Sequence, residues 1–188
     1  MESQRSLDPG QNAGQRVIGV QTLSPALGAQ IVGVDLREPI DDVCAAQMID
    51  IWHQHLVILL RNQKLSEDDQ VRFAERFGPP ARIHTPQFVQ KHPAVMIISN
   101  IREDGRQIGA LPDGEMQFHS DQCHQERPAM ASILYAIEVP SKGGDTVFAN
   151  AYMAYETLPD DIKRRIDGKK ALNAYDYYSA ATIRGAAV

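Results

Sequence analysis

The second half of the sequence constrains the fold most, because it alternates apolar runs with turn-forming residues. The runs at 116–121, 131–139 and 146–149 have the length and residue types of strands, and prolines and glycines lie between them. The first half instead mixes strand-like and helix-like segments. An α/β beginning followed by a series of strands predicts a mixed α/β domain that is mainly β, built on a sandwich or a barrel.

Shorter strands are predicted earlier in the chain. Residues 17–20 and 29–36 are partly alternating β-like runs, and the aliphatic run at 56–60 predicts a buried strand. Another strand is predicted at 95–99. The polar, glycine-containing segment 102–114 predicts a long loop.

Capping residues predict where the helices begin. A helix is expected to open at Asp41, because apolar residues then recur from Val43 to Leu56 at intervals near 3.6. A second helix is expected to open at Ser66, since Ser66 and Asp69 have the spacing of a capping box. Two more short helices are predicted at 151–158 and 160–166.

Composition excludes several classes of protein. The 188 residues suffice for one domain, predicted at 17–188 after a flexible polar tail at 1–16. A net charge of −5 argues against a nucleic-acid partner. The longest aliphatic run, 56–60, is far too short to cross a bilayer, so no membrane association is expected. Two cysteines and no apolar leader segment predict a reduced, cytoplasmic protein.

The sharpest local motif is His119-Ser120-Asp121. On a strand, residues i and i+2 point to the same face, whereas on a helix they diverge by about 200°. One imidazole and one carboxylate are two of the three protein ligands in the two-His-one-carboxylate site for non-haem Fe(II). The spacing alone is a weak signal, because His124 and Glu126 have it too. A solvated strand end, or a His–Asp hydrogen bond without metal, explains the pair equally well.

The sequence around the motif is more specific. Several elements occur in a fixed order: an aromatic residue before the histidine (Phe118), a Glu-Arg-Pro turn (126–128), an apolar run (132–139), Pro-Ser-Lys-Gly-Gly-Asp-Thr (140–146) and Ala-Tyr-Glu-Thr-Leu (154–158). Together they resemble the core block of the taurine/2,4-D dioxygenase family. Upstream, Leu-Gly-Ala-Gln-Ile-Val-Gly-Val-Asp and Phe-Ala-Glu-Arg-Phe-Gly look like the family's opening hairpin and following helix. The resemblance covers 17–178.

This resemblance implies a double-stranded β-helix, or jelly roll, with flanking helices. It further implies Fe(II) as the metal and 2-oxoglutarate as cosubstrate, with His119 and Asp121 as the first two iron ligands. Thr146 matches the family threonine that binds the distal carboxylate of 2-oxoglutarate; without the family it would be an ordinary β-branched strand residue. The implied reaction consumes O₂, hydroxylates a small molecule, and yields succinate and CO₂.

The resemblance also bears on the substrate. His84 matches a substrate-contacting histidine of taurine-type enzymes, although a surface histidine in a loop is the alternative. Glu115 stands near where taurine enzymes have an asparagine, and its carboxylate would oppose a sulfonate. A small organic acid or related metabolite other than taurine is therefore the expected substrate.

Two family features have no counterpart in the sequence. The third ligand, a histidine on a late strand, has no candidate because no histidine follows His124, and Arg184 comes too early for the arginine that pairs with 2-oxoglutarate. The expectation is that the chain corresponds to the first two-thirds of such an enzyme, with the C-terminal strands missing, and is inactive alone. The alternatives are a truncated, catalytically inactive remnant and a partner-binding pseudo-enzyme, and homo-oligomerisation stays open. A cupin-like site would need His53 and His55 on a strand, but they fall in a predicted helix.

Overall fold

The structure is a computed structural model that describes residues 18–83, 86–89, 91–110 and 118–173. The chain divides into two compact units, Met1–Asp69 and Gln70–Val188. Helices and strands both occur among these residues, so the predicted mixed α/β class is confirmed. The boundary predicted between a tail and a single domain stays a prediction.

A three-stranded sheet organises the first unit. Strands β1 (Gly19–Thr22), β2 (Ala29–Val32) and β3 (Ile58–Leu60) lie in that order, with β1–β2 antiparallel and β2–β3 parallel. Side chains of β2 alternate between buried and half-buried, as expected for a strand with one face on a core. The two predicted N-terminal strands are therefore confirmed, the first shifted by two residues and the second shorter than predicted.

The predicted buried strand at 56–60 is shorter and less buried than expected. Only Ile58–Leu60 forms a strand, and all three of its residues are half-buried. The reason is its position at the edge of the described sheet, where it pairs with β2 alone. An aliphatic run indicates a strand but does not indicate how many neighbours that strand has.

Helix α1 (Asp42–His55) connects β2 to β3 and begins where the sequence predicts. The side chain of Asp41 accepts a hydrogen bond from the backbone N–H of Cys44 at 2.7 Å, which caps the first turn. Cys44 and Met48, four residues apart, are buried on the sheet side of the helix. Val43 was expected on this apolar face but is 55% exposed, since it lies about 100° around the helix from Cys44.

A single side chain joins the loops that follow β2 and β3. The Oε1 atom of Gln63 accepts from the backbone N–H of Leu36 at 2.9 Å, and its Nε2 donates to the carbonyl of Val34 at 3.0 Å. The same Nε2 donates to the carbonyl of Arg61 at 3.1 Å. Gln63 thereby satisfies backbone groups beside the buried Val34 and Leu36, where water reaches them poorly.

Replacing Gln63 should destabilise the first unit. Gln63→Ala removes both the acceptor and the donor, so we expect a loss of about 1–3 kcal/mol in the free energy of unfolding, measured with urea. Gln63→Glu keeps the acceptor only and should fall between alanine and glutamine. Gln47→Ala, on the exposed side of α1, is the control and should change stability by less than about 0.5 kcal/mol. Equal stability of the Gln47 and Gln63 alanine variants would contradict this role.

Helix α2 (Glu67–Ala74) confirms the predicted capping box. The backbone N–H of Asp69 donates to Ser66 Oγ at 3.2 Å, and the backbone N–H of Ser66 donates to Asp69 Oδ2 at 3.0 Å. Val71 and Phe73 of the helix are buried, and Phe73 meets Phe77 edge to face at 5.2 Å. Reciprocal capping satisfies two backbone donors that a helix start otherwise leaves unpaired.

The segment predicted as a loop at 102–114 contains a small hairpin. Strands β4 (Arg102–Glu103) and β5 (Arg106–Gln107) are antiparallel and are joined by Asp104 and Gly105, with φ angles of 49° and 77°. An Asp-Gly pair with positive φ at both positions is the type I′ turn that favours tight hairpins. The dipeptide was the local signal for this element.

The strand predicted at 95–99 is not formed. Met96 makes one isolated antiparallel bridge with Val89, and the backbone N–H of Ile97 donates to the carbonyl of Phe88 at 3.0 Å. The partner segment begins with the 3-10 helix Pro86–Phe88 and offers no extended stretch beside it. A ladder therefore cannot extend beyond one bridge.

The run of strands predicted in the second half is also absent from the part of the chain that the structure describes. No strand is assigned at 118–121, 131–139 or 146–149, while 116–117 lie outside the described residues. Apolar side chains in these segments are exposed, among them Leu134 at 66% and Ile137 at 83%. A strand needs a second strand to share its backbone hydrogen bonds, and none of the described strands pairs with these runs.

Two helices follow these segments as predicted. Helix α3 spans Ala151–Glu156 and helix α4 spans Asp160–Ile166. The side chain of Asn150 caps α3 by accepting from the backbone N–H of Met153 at 3.0 Å. None of the helices in the described ranges has the length and apolar character needed to cross a bilayer.

Candidate metal centre

The His119-Ser120-Asp121 motif lies where an irregular segment enters a tight turn. Residues 118–120 have no assigned secondary structure, and 121–124 form the turn, which includes Gln122 at a φ of 54°. The backbone N–H of Cys123 approaches the carbonyl of Ser120 at 3.4 Å. The motif was expected on a strand, but the structure places it at the start of a turn.

The two side chains nevertheless come together. His119 Nε2 lies 3.2 Å from Asp121 Oδ1, and each side chain is about half exposed, at 50% and 54%. They converge although the segment that carries them is irregular and is not a strand. Their function as metal ligands stays a prediction.

The separation of the two atoms suits a shared metal ion. Two ligand atoms with bonds of about 2.1 Å at a right angle, as in an octahedral site, lie about 3.0 Å apart. The observed 3.2 Å is close to this value. The same distance also suits a direct hydrogen bond between the imidazole and the carboxylate in the absence of metal.

The second oxygen of Asp121 has a different neighbour. The hydroxyl of Ser132 donates to Asp121 Oδ2, across eleven residues of sequence. Gln70 in α2 in turn donates from Nε2 to the carbonyl of Ile133 at 3.2 Å, next to Ser132. Sequence reasoning missed Ser132, because neither spacing nor residue type links a serine at the start of an apolar run to a carboxylate in an earlier turn.

The competing pair, His124 and Glu126, is arranged differently. His124 Nε2 lies 2.9 Å from the side-chain amide nitrogen of Gln125, with which it can hydrogen-bond. Cys123, beside it, is a free thiol. Across the described ranges, no three His, Cys, Asp or Glu side chains gather into one group that could hold a metal.

Among the described residues, no contact links the other predicted site residues to His119 or Asp121. Thr146 is exposed in a segment without secondary structure, and its function in cosubstrate binding stays a prediction. His84 and Glu115 lie outside the described residues, as does Arg184. His53 belongs to α1, as predicted, so the cupin-like alternative lacks the strand it requires.

Comparison with known proteins defines the class. The model of the taurine catabolism dioxygenase TauD, TfdA family matches residues 19–186, so the chain belongs to that family. This confirms the resemblance found in the sequence. The family consists of dioxygenases that use Fe(II) and 2-oxoglutarate.

Two curated relatives show how far the likeness extends. The chain is 39% identical over 153 residues to pentalenolactone F synthase of Streptomyces avermitilis, covering 78% of this chain and 49% of the relative. It is 30% identical over 161 residues to the alpha-ketoglutarate-dependent 2,4-dichlorophenoxyacetate dioxygenase of Cupriavidus pinatubonensis, covering 79% and 55%. The chain thus spans about half the length of the curated relatives it matches.

A solved structure matches the fold as well. A taurine dioxygenase from Burkholderia xenovorans superimposes with a TM-score of 0.67 at 30% identity, covering 80% of this chain and 51% of that one. The likeness to this structure therefore covers most of the chain.

Proposed function

We propose that the protein is an Fe(II)- and 2-oxoglutarate-dependent dioxygenase that hydroxylates a small organic acid or a related metabolite. The observation that carries the proposal is the approach of His119 Nε2 to Asp121 Oδ1 at 3.2 Å, in a chain of the TauD, TfdA family. Imidazole nitrogen and carboxylate oxygen are the donors that non-haem Fe(II) takes in such enzymes. The donor set therefore fits the metal.

Each predicted site residue has a distinct function in this proposal. His119 and Asp121 hold the metal through Nε2 and Oδ1. The hydroxyl of Thr146 donates to the distal carboxylate of 2-oxoglutarate and orients it. Bound Fe(II) supplies the activation of O₂ that couples decarboxylation of 2-oxoglutarate, to succinate and CO₂, with hydroxylation of the substrate.

The jelly roll is part of the proposal. The likeness to the Burkholderia xenovorans enzyme supports it, with a TM-score of 0.67. So does the exposure of Leu134, Ile137 and Val147, whose apolar side chains a completed sheet would cover. In that arrangement 131–139 and 146–149 become strands once they have partners.

A small acid is the substrate class that the sequence favours. One relative acts on 2,4-dichlorophenoxyacetate, which is itself a carboxylate. His84 would contact the substrate, and Glu115 would disfavour a sulfonate by charge repulsion. A cytoplasmic location stays the prediction from the sequence.

Removing either ligand should abolish metal binding. We expect His119→Ala and Asp121→Ala to weaken the binding of Mn(II), a spectroscopic substitute for Fe(II), by at least about 100-fold, because even the loss of a ligand's outer partner costs 10–100-fold. Titration followed by electron paramagnetic resonance measures the affinity, and in the protein expressed from its natural reading frame succinate formation should be lost in parallel. His124→Ala is the control and should bind Mn(II) normally. Loss of binding in the His124 variant, with binding retained in the His119 variant, would assign the site to the competing pair.

Substitution of Glu115 should change substrate preference. Glu115→Asn removes a negative charge that would face the substrate, so we expect kcat/KM for taurine, relative to an uncharged compound of similar size, to rise about tenfold, or about 1.4 kcal/mol. Succinate formation with each substrate measures this ratio. Glu103→Gln, which removes an exposed charge from β4, is the control and should leave the ratio unchanged. An unaltered ratio in the Glu115 variant would place Glu115 outside the substrate pocket.

A further inference from the structure

The carboxylate of Asp121 has its two oxygens in different surroundings. Oδ1 faces His119 Nε2 at 3.2 Å, whereas Oδ2 accepts a hydrogen bond from the hydroxyl of Ser132. A carboxylate on an exposed turn can otherwise rotate and exchange its oxygens freely. The serine hydroxyl therefore selects one orientation of the group.

Ser132 is itself held in place from a helix. Gln70 in α2 donates from Nε2 to the carbonyl of Ile133, the next residue, at 3.2 Å. Gln70 and Ile133 are both partly buried, whereas Asp121 is exposed. A chain of contacts thus runs from the helix, through the backbone at 132–133, to one oxygen of the carboxylate.

We propose that Ser132 is a positioning residue that restricts Asp121 to binding the metal through Oδ1 alone. This inference rests on the proposed function, because it assigns Asp121 to a metal. A carboxylate that binds through both oxygens fills two coordination positions, whereas one oxygen fills one. By occupying Oδ2, the serine hydroxyl keeps a position open for the cosubstrate or O₂.

The hydrogen bond can also be purely structural, and the experiment must distinguish this function from positioning of the carboxylate. Ser132 and Asp121 bracket the segment 122–131, so their contact also ties this segment together. If the hydrogen bond is purely structural, removing the Ser132 hydroxyl should lower the stability of the metal-free protein. A positioning function predicts an altered metal environment instead.

The experiment uses the protein expressed from its natural reading frame, with Mn(II) and Co(II) alone as probes. Ser132→Ala should weaken Mn(II) binding about tenfold, as the loss of outer-shell partners does. It should also alter the intensity of the visible Co(II) d–d bands, which reports coordination number. Ser132→Thr keeps the hydroxyl and should restore both the affinity and the spectrum. Ser141→Ala, an exposed serine without a described link to Asp121, should match the unsubstituted protein.

Each result decides the matter. Weaker binding and a changed spectrum in Ser132→Ala, restored in Ser132→Thr, support the positioning function. Unchanged affinity and spectrum overturn it, as does an unchanged spectrum accompanied by a lower melting temperature of the metal-free protein. His119→Ala, measured in parallel, separates the two proposals. If it binds Mn(II) normally, the metal centre itself is wrong; if it loses binding while Ser132→Ala does not, only the positioning function fails.

Discussion

Backbone hydrogen bonding between strands governs which parts of this chain form a core. Strand β2 has neighbours on both sides, β1 and β3, and its buried residues Ala29 and Ile31 lie under α1 in the first unit. The segment 131–139 has equally apolar residues, but no described strand pairs with it, and Ile137 stays 83% exposed. Burial of apolar side chains supplies most of the favourable free energy of folding. A strand can be buried, however, only where its backbone N–H and C=O groups are hydrogen-bonded.

In the candidate metal centre, polar side-chain atoms likewise have hydrogen-bonding partners. Both oxygens of Asp121 have defined neighbours, one from His119 and one from Ser132. Neither contact involves a strand, because no strand is assigned at 118–121 or 131–139. The pair therefore converges without the strand that was expected to carry it.

Local signals made the helices predictable. Asp41 caps α1, Ser66 and Asp69 cap α2, and each signal lies within one turn of the residues it stabilises. The strand at 95–99 was predicted from composition, but a strand also depends on a distant partner, which composition does not specify. In the same way, His119 and Asp121 could be identified from their spacing and from the motifs around them that resemble the family. Ser132 could be identified only from its contact with Asp121 in the structure.

The locality of the His119–Asp121–Ser132 cluster has an energetic consequence. Its members lie within residues 119–132, so bringing them together closes a short loop, which costs less conformational entropy than closing a long one. In the proposed jelly roll, the remaining ligand comes from a later strand and is positioned only when that strand pairs. Metal binding would then be coupled to completion of the sheet, because the metal binds the assembled state preferentially and stabilises it. The local cluster would supply two preorganised ligands, and the remaining ligand would be in position only when its strand pairs with the sheet.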